Sequence, residues 1–106
     1  MSIFEMMKPG NINKGVEEFR GNRNSILVDV RSKEEYSRGH IPGSVNIPLD
    51  CLGEIEDYAP DKSVKLYVHC LSGARSGRAV SQLKNMGYEN AENIGGIGSY
   101  KGELAV

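Results

Sequence analysis

Short β-branched apolar runs alternate with amphipathic stretches along this chain. Ile26-Leu27-Val28-Asp29-Val30 and Lys65-Leu66-Tyr67-Val68-His69 are apolar at successive positions rather than at every second one. Runs of that kind fit strands buried on both faces, as in parallel sheets. Ser44-Val45-Asn46-Ile47, ended by Pro48, and Ala91-Glu92-Asn93-Ile94, ended by Gly95-Gly96, are weaker strand candidates, and residues 2–6 read as a short first strand. Helical patterns lie between them. Residues 13–20 carry Val16 and Phe19 at helical spacing. Ser32 stands as an N-cap with Glu35 three residues on, the capping-box arrangement, and Gly39 ends that helix. Residues 52–58 predict a short helix stopped by Pro60. The clearest helix spans about residues 76–86, where Ala79, Val80, Leu83 and Met86 share one face and Gly87 takes the C-terminal glycine position. Strands alternating with helices predict an α/β fold, a mainly parallel central sheet with helices on both faces. In such sheets ligands bind beyond the carboxyl ends of the strands, which is where Cys70 falls.

Composition narrows the function classes. The chain has 106 residues, one domain's worth. Its formal net charge is −1 with 25% charged residues, so there is no bulk attraction to nucleic acid or to an acidic membrane, and any anion site must be local. No apolar run reaches the roughly 18 residues of a membrane-spanning helix. The opening residues 1–9 lack a basic lead, an apolar stretch of signal length and a small-residue cleavage site, which predicts a cytoplasmic protein. There are two cysteines, Cys51 and Cys70. In that setting free thiols are expected rather than a disulfide. His40 and His69 do not complete a metal-ligand spacing with them, so neither metal nor cofactor is expected.

The candidate chemistry lies in Cys70-Leu71-Ser72-Gly73-Ala74-Arg75, between a predicted strand and a predicted helix. A cysteine at a helix N-terminus sees the positive end of the dipole and unsatisfied N–H groups. Both favour the thiolate, which is the nucleophilic form. A tight glycine-bearing loop can turn its N–H groups inward as a nest for an anion, and Gly73 permits the backbone angles this needs. Arg75 adds a fixed charge and a planar donor fork. The arrangement predicts a small bowl for an oxyanion or a charged sulfur, with the nucleophile at its rim.

Cys70-Leu71-Ser72-Gly73-Ala74-Arg75-Ser76 resembles the active loop of the rhodanese-like sulfurtransferases. Leu27-Val28-Asp29-Val30-Arg31, Glu35-Tyr36 and Gly39-His40-Ile41-Pro42-Gly43-Ser44-Val45-Asn46-Ile47-Pro48 are similar to that family's N-terminal signature, and Leu83, Gly87-Tyr88 and Gly95-Gly96-Ile97 to its later part. The resemblance covers about residues 3–104. It implies a single-domain, three-layer rhodanese-like fold over residues 1–106. It also implies a sulfurtransferase in which Cys70 takes a sulfane sulfur from a small anionic donor, thiosulfate or a persulfide. Cys70 would hold that sulfur as a persulfide and pass it to cyanide or a thiol acceptor. On this reading the amides from Leu71 to Arg75 stabilise the anionic sulfur, and the two-stage transfer is covalent catalysis with ping-pong kinetics. One departure bears on the donor: Leu71 stands where the family often has a basic residue, so a contact to thiosulfate is missing. Tyr100 stands where the family often has tryptophan.

Other residues carry alternative roles. Asp29 and Arg31 read first as a structural ion pair bracing the loop, and second as a substrate contact through Arg31. His40 reads as a turn brace. His69 points away from Cys70 if strand alternation holds, which argues against it as the activating base. Arg75 either lines the bowl or turns outward to pair with a carboxylate. Cys51 reads as a packing residue or free thiol. Two other functions stand beside sulfur transfer. Cysteine phosphatases and arsenate reductases of related fold use Cys-x5-Arg; here the sixth residue after Cys70 is Ser76 and the arginine comes one position early, giving a smaller bowl. A non-catalytic binding module is the other, and the presence of Cys70 argues against it.

Overall fold

The computed structural model describes residues 10–106; the first strand expected at residues 2–6 lies outside them. Helix α1 (Ile12–Arg20) begins at Asn11, whose side chain accepts from the backbone N–H groups of Asn13 and Lys14. Strand β1 (Ser25–Asp29) leads to helix α2 (Lys33–Arg38), which starts in the capping box expected at Ser32 and Glu35. Strand β2 is short (Val45–Asn46). A 3-10 segment (Leu49–Glu54) and helix α3 (Ile55–Tyr58) follow. Strand β3 (Lys65–Cys70), helix α4 (Ala74–Asn85), strand β4 (Ala91–Gly96) and a 3-10 turn (Ile97–Ser99) complete the order.

The four strands form a parallel sheet in the order β2-β1-β3-β4. Side chains alternate between its faces as the pleat requires. Val28, Leu66 and Val68 pack with Leu52, Ile55, Ala79 and Leu83 from the 3-10 segment, α3 and α4. Leu27, Tyr67 and Ile94 pack with Ile12 and Val16 from α1. Both faces are therefore covered, which explains why β1 and β3 are apolar at successive positions. The three-layer α/β expectation holds.

Three local expectations are revised. The segment at residues 52–58 is not one α-helix: residues 52–54 end a 3-10 segment, in which Cys51 leaves helical geometry (φ −122°, ψ 24°), and a four-residue α-helix follows. The large helix begins at Ala74 rather than Ser76, because Gly73 takes a left-handed conformation (φ 105°) that starts it early. Gly95 and Gly96 do not end β4. They pair with His69 and Cys70 after the register slips by one residue at Ile94. That slip is a bulge, and it re-aims the side chains beside the end of β3.

Candidate active site

Cys70 is the last residue of β3 and pairs with Gly96. Its side chain joins the core face that holds Val28 and Val30 and is 1% exposed. The loop turns back over it: Gly73 N–H donates to Sγ at 3.0 Å, and the Ser76 hydroxyl lies 3.3 Å from Sγ. Burial pushes the Cys70 thiol up. The Ser76 hydroxyl and the N–H groups of Ser76, Gly73 and Ser72 outweigh it and hold the thiol below its ordinary value. Cys51 is the reverse case. Burial and the carboxylates of Asp50 and Glu54 push its thiol up. The two cysteines thus differ in the property that makes a thiol a nucleophile at neutral pH.

The loop is held from β4 and the 3-10 turn after it. Gly98 N–H donates to Leu71 O at 3.1 Å. Gly96 lets the chains approach: a Cβ there would lie 2.2 Å from Leu71 O and 2.6 Å from Ser72 Cα. Asn93 donates from Nδ2 to Gly73 O at 3.0 Å and accepts at Oδ1 from Gly95 N–H at 3.0 Å. Leu71 itself points outward and is half exposed, and Ser72 and Ala74 are exposed on the rim.

Arg75 takes the outward option. Its guanidinium makes a two-pronged contact with Glu35, Nη1 to Oε1 at 2.7 Å and Nη2 to Oε2 at 2.9 Å. That pairing, helped by Ser32, pulls the Glu35 carboxyl down to about 2. Asp29 and Arg31 form the buried pair. Arg31 gives its backbone N–H and Nε to Oδ1 at 2.9 and 3.0 Å, and Nη2 to Oδ2 at 2.8 Å. Nη2 also reaches Gly39 O at 2.8 Å. The pair therefore ties the end of β1 to the turn after α2. His69 faces Asp29, with Nε2 3.5 Å from Oδ2. Burial raises the Asp29 carboxyl, but His69 and Arg31 hold it below its usual range. His69 thus serves the Asp29 side of the sheet and not the sulfur. His40 stacks on Tyr36 with ring centroids 3.8 Å apart, and its Nδ1 lies 3.0 Å from Tyr36 O, the brace its place in the turn predicts.

Beside the loop lies a cleft of about 820 Å³ with Leu49, Cys51, Arg75, Arg78 and Met86 among its walls. The sequence reading placed Cys70, the loop and the Asp29–Arg31 pair. It missed three participants: Ser76 beside the sulfur, Asn93 behind Ser76, and Glu35 as the partner of Arg75. Glu35 was visible as a helix cap and a signature residue, but not as the carboxylate that Arg75 turns to. Ser76 was visible as the end of the loop motif and as the position where a phosphatase arginine is absent, but not as a partner of the sulfur.

Residues 13–103 match the family model of the rhodanese-like domain. The chain belongs to the rhodanese-like family. Among curated relatives of this rhodanese-like domain is the thiosulfate sulfurtransferase PspE of Escherichia coli (strain K12), 42% identical over 71 residues, covering 66% of this chain and 68% of PspE. Another is the adenylyltransferase and sulfurtransferase uba4 of Ogataea parapolymorpha. It is 41% identical over 90 residues, which are 84% of this chain but only 23% of that much longer protein. A solved structure described as rhodanese with anions from E. coli superposes with a TM-score of 0.72 at 35% identity, covering 76% of this chain and 96% of the other. Family membership and fold are thereby shown, and the rhodanese-like domain is of a sulfurtransferase family. No helix among the described residues is long and apolar enough to cross a membrane.

Proposed function

We propose that this rhodanese-like domain is a sulfurtransferase that carries sulfane sulfur on Cys70. The observation that carries the reading is the setting of Sγ, with an N–H at 3.0 Å and a hydroxyl at 3.3 Å that hold the thiol below its ordinary value at the mouth of a short loop. The Cys70 thiolate attacks the outer sulfur of the donor. A new S–S bond forms, the donor's S–S bond breaks, and sulfite or an organic thiolate leaves with the electron pair. An acceptor thiolate then attacks the outer sulfur of the persulfide, and Cys70 leaves as thiolate. The charge on the outer sulfur is met by the loop amides between Leu71 and Arg75, a preorganised anion site. The E. coli rhodanese with anions supports such a site by similarity. The acceptor is read as entering by the cleft beside the loop, where Arg75 and Arg78 stand.

Arg75 weighs against the phosphatase reading. Both prongs of its guanidinium are engaged by Glu35, so it stands as a brace of the loop rather than a clamp on a tetrahedral phosphate. Its absence from the bowl, with Leu71 outside it, favours a donor bound by amides and apolar contact over thiosulfate. The test is intact-protein mass after treatment with thiosulfate or with an organic persulfide. A gain of one sulfur atom, absent in Cys70→Ser and discharged by a thiol, is expected. No adduct from either donor class would refute the reading and leave the binding-module alternative.

A further inference from the structure

The Ser76 hydroxyl is fully buried and has more acceptors than protons. Its Oγ lies 2.7 Å from Asn93 Oδ1, 3.1 Å from Gly73 O, 3.3 Å from Cys70 Sγ and 3.5 Å from Gly95 O. A hydroxyl has one proton to give. The orientation of Asn93 is pinned, because Nδ2 donates to Gly73 O and Oδ1 accepts from Gly95 N–H. An amide oxygen can only accept. The 2.7 Å contact therefore takes the Ser76 proton, and the Cys70 thiol donates its own proton to Ser76 Oγ.

That assignment cannot persist in the thiolate. A bare Sγ needs donors, and Ser76 can serve it only by turning its proton away from Asn93. Once sulfur is loaded, the negative charge moves to the outer atom, and the demand at Sγ falls again. We propose that Asn93 is a positioning residue that competes with Cys70 for the single proton of Ser76, so that this hydroxyl points to Asn93 in the thiol and persulfide and to sulfur in the thiolate. Asn93 thus restrains the thiolate while it anchors the loop. The inference takes from the proposed function only that Cys70 is the reactive thiol.

The charged groups around this proton are few. Arg75, on α4, interacts with Cys70 through charge but is paired with Glu35 of α2. Asp29 of β1 is paired with Arg31. His69 of β3 faces Asp29. Glu92 of β4 is paired with Lys65 of β3.

The experiment is a thiolate titration by ultraviolet absorbance, in a Cys51→Ser background so that one thiol reports. It needs no sulfur transfer, so its failure is distinct from failure of the proposed function. Asn93→Ala should lower the Cys70 pKa by about one unit, a tenfold gain in thiolate at a given pH, and Ser76→Ala should raise it by a similar amount. The double variant should lie close to Ser76→Ala alone, because the competition for the proton needs Ser76, and only the anchoring of Gly73 by Asn93 remains to be lost. A pKa that rises or stays fixed in Asn93→Ala overturns the proposal. So does an Asn93→Ala shift of the same size with Ser76 already removed, which is what simple loosening of the loop would give. Asn93→Leu, which keeps the γ-branched shape of Asn without its polar atoms, supplies the same reading where the alanine variant does not fold.

Discussion

Asp29→Ala offers the sharpest test of what holds the loop's surroundings together. The carboxylate is fully buried, and Arg31, its partner, is 6% exposed. Arg31 gives it a backbone N–H and two side-chain nitrogens. Removing the carboxylate leaves a guanidinium in the interior with only Gly39 O to satisfy it. Breaking a buried pair from one side costs about 3–5 kcal/mol, because the remaining charge is uncompensated. For a domain near this size each kcal/mol is about 4–8 °C in Tm, so a fall of at least about 12 °C is expected. Replacing both residues by apolar ones, Asp29→Leu with Arg31→Met, should cost less than either single change. Urea unfolding of the wild type and of each of these variants gives the comparison, with unchanged slopes as the check that the unfolded state is the same. The folded carboxyl lies below its unfolded value, so its stabilisation is present above about pH 4 and is lost as pH falls. An Asp29→Ala cost under about 1 kcal/mol, the range of an exposed pair, would refute the reasoning. A raised KM in a folded Arg31→Lys variant, without loss of stability, would move Arg31 from brace to substrate contact.

Three further outcomes follow from distances at the loop. Gly96→Ala should fold, since its backbone (φ −125°, ψ 140°) suits any residue. The new Cβ would drive into Leu71 O and Ser72 Cα, so sulfur loading of Cys70 should slow by about 100-fold, measured by rapid-quench mass spectrometry. Glu35→Gln should release Arg75 and lower kcat/KM by about tenfold through loop misplacement. In the wild type the Glu35 carboxyl lies at about 2 against its ordinary 4.5. The clamp therefore stabilises fully above pH 4.5 and fails as pH falls toward 2, a transition that the Arg75 side-chain NMR signals should report and that Glu35→Gln should abolish. Leu71→Arg places a charge at the exposed rim and should lower KM for thiosulfate by about fivefold, the worth of one exposed contact of ~1 kcal/mol; an unchanged KM removes Leu71 as the determinant of donor choice.

The sequence was informative where the physics is local. Buried parallel strands announce themselves by unbroken apolar runs, and the α2 capping box needs only residues 32 and 35. The candidate loop was legible because a cysteine, a glycine and an arginine fall within six positions after a strand. The rest depends on pairing across the chain. Glu35 and Arg75 meet over 40 positions and Ser76 and Asn93 over 17, so neither pair leaves a periodic trace. The bulge at Ile94 was hidden because two glycines read as a strand end when only the residues on either side are considered. Here they mark a place where backbones come too close for a side chain.

The carboxylate of Glu35 answers to two masters. Its Oε1 accepts from the Ser32 N–H and hydroxyl, closing the cap of α2, and also from Arg75. Helix α2 has six residues, too few to persist without such support. Any momentary fraying of that helix therefore unlatches Arg75, and loosening at the loop tugs on the helix in return. Amide hydrogens of α2 and of residues 73–76 should exchange with solvent through one shared opening, although the two segments lie far apart in the chain. How long the Cys70 loop stays latched is then set on the far side of the ion pair, by how long a single turn and a half of helix stays wound.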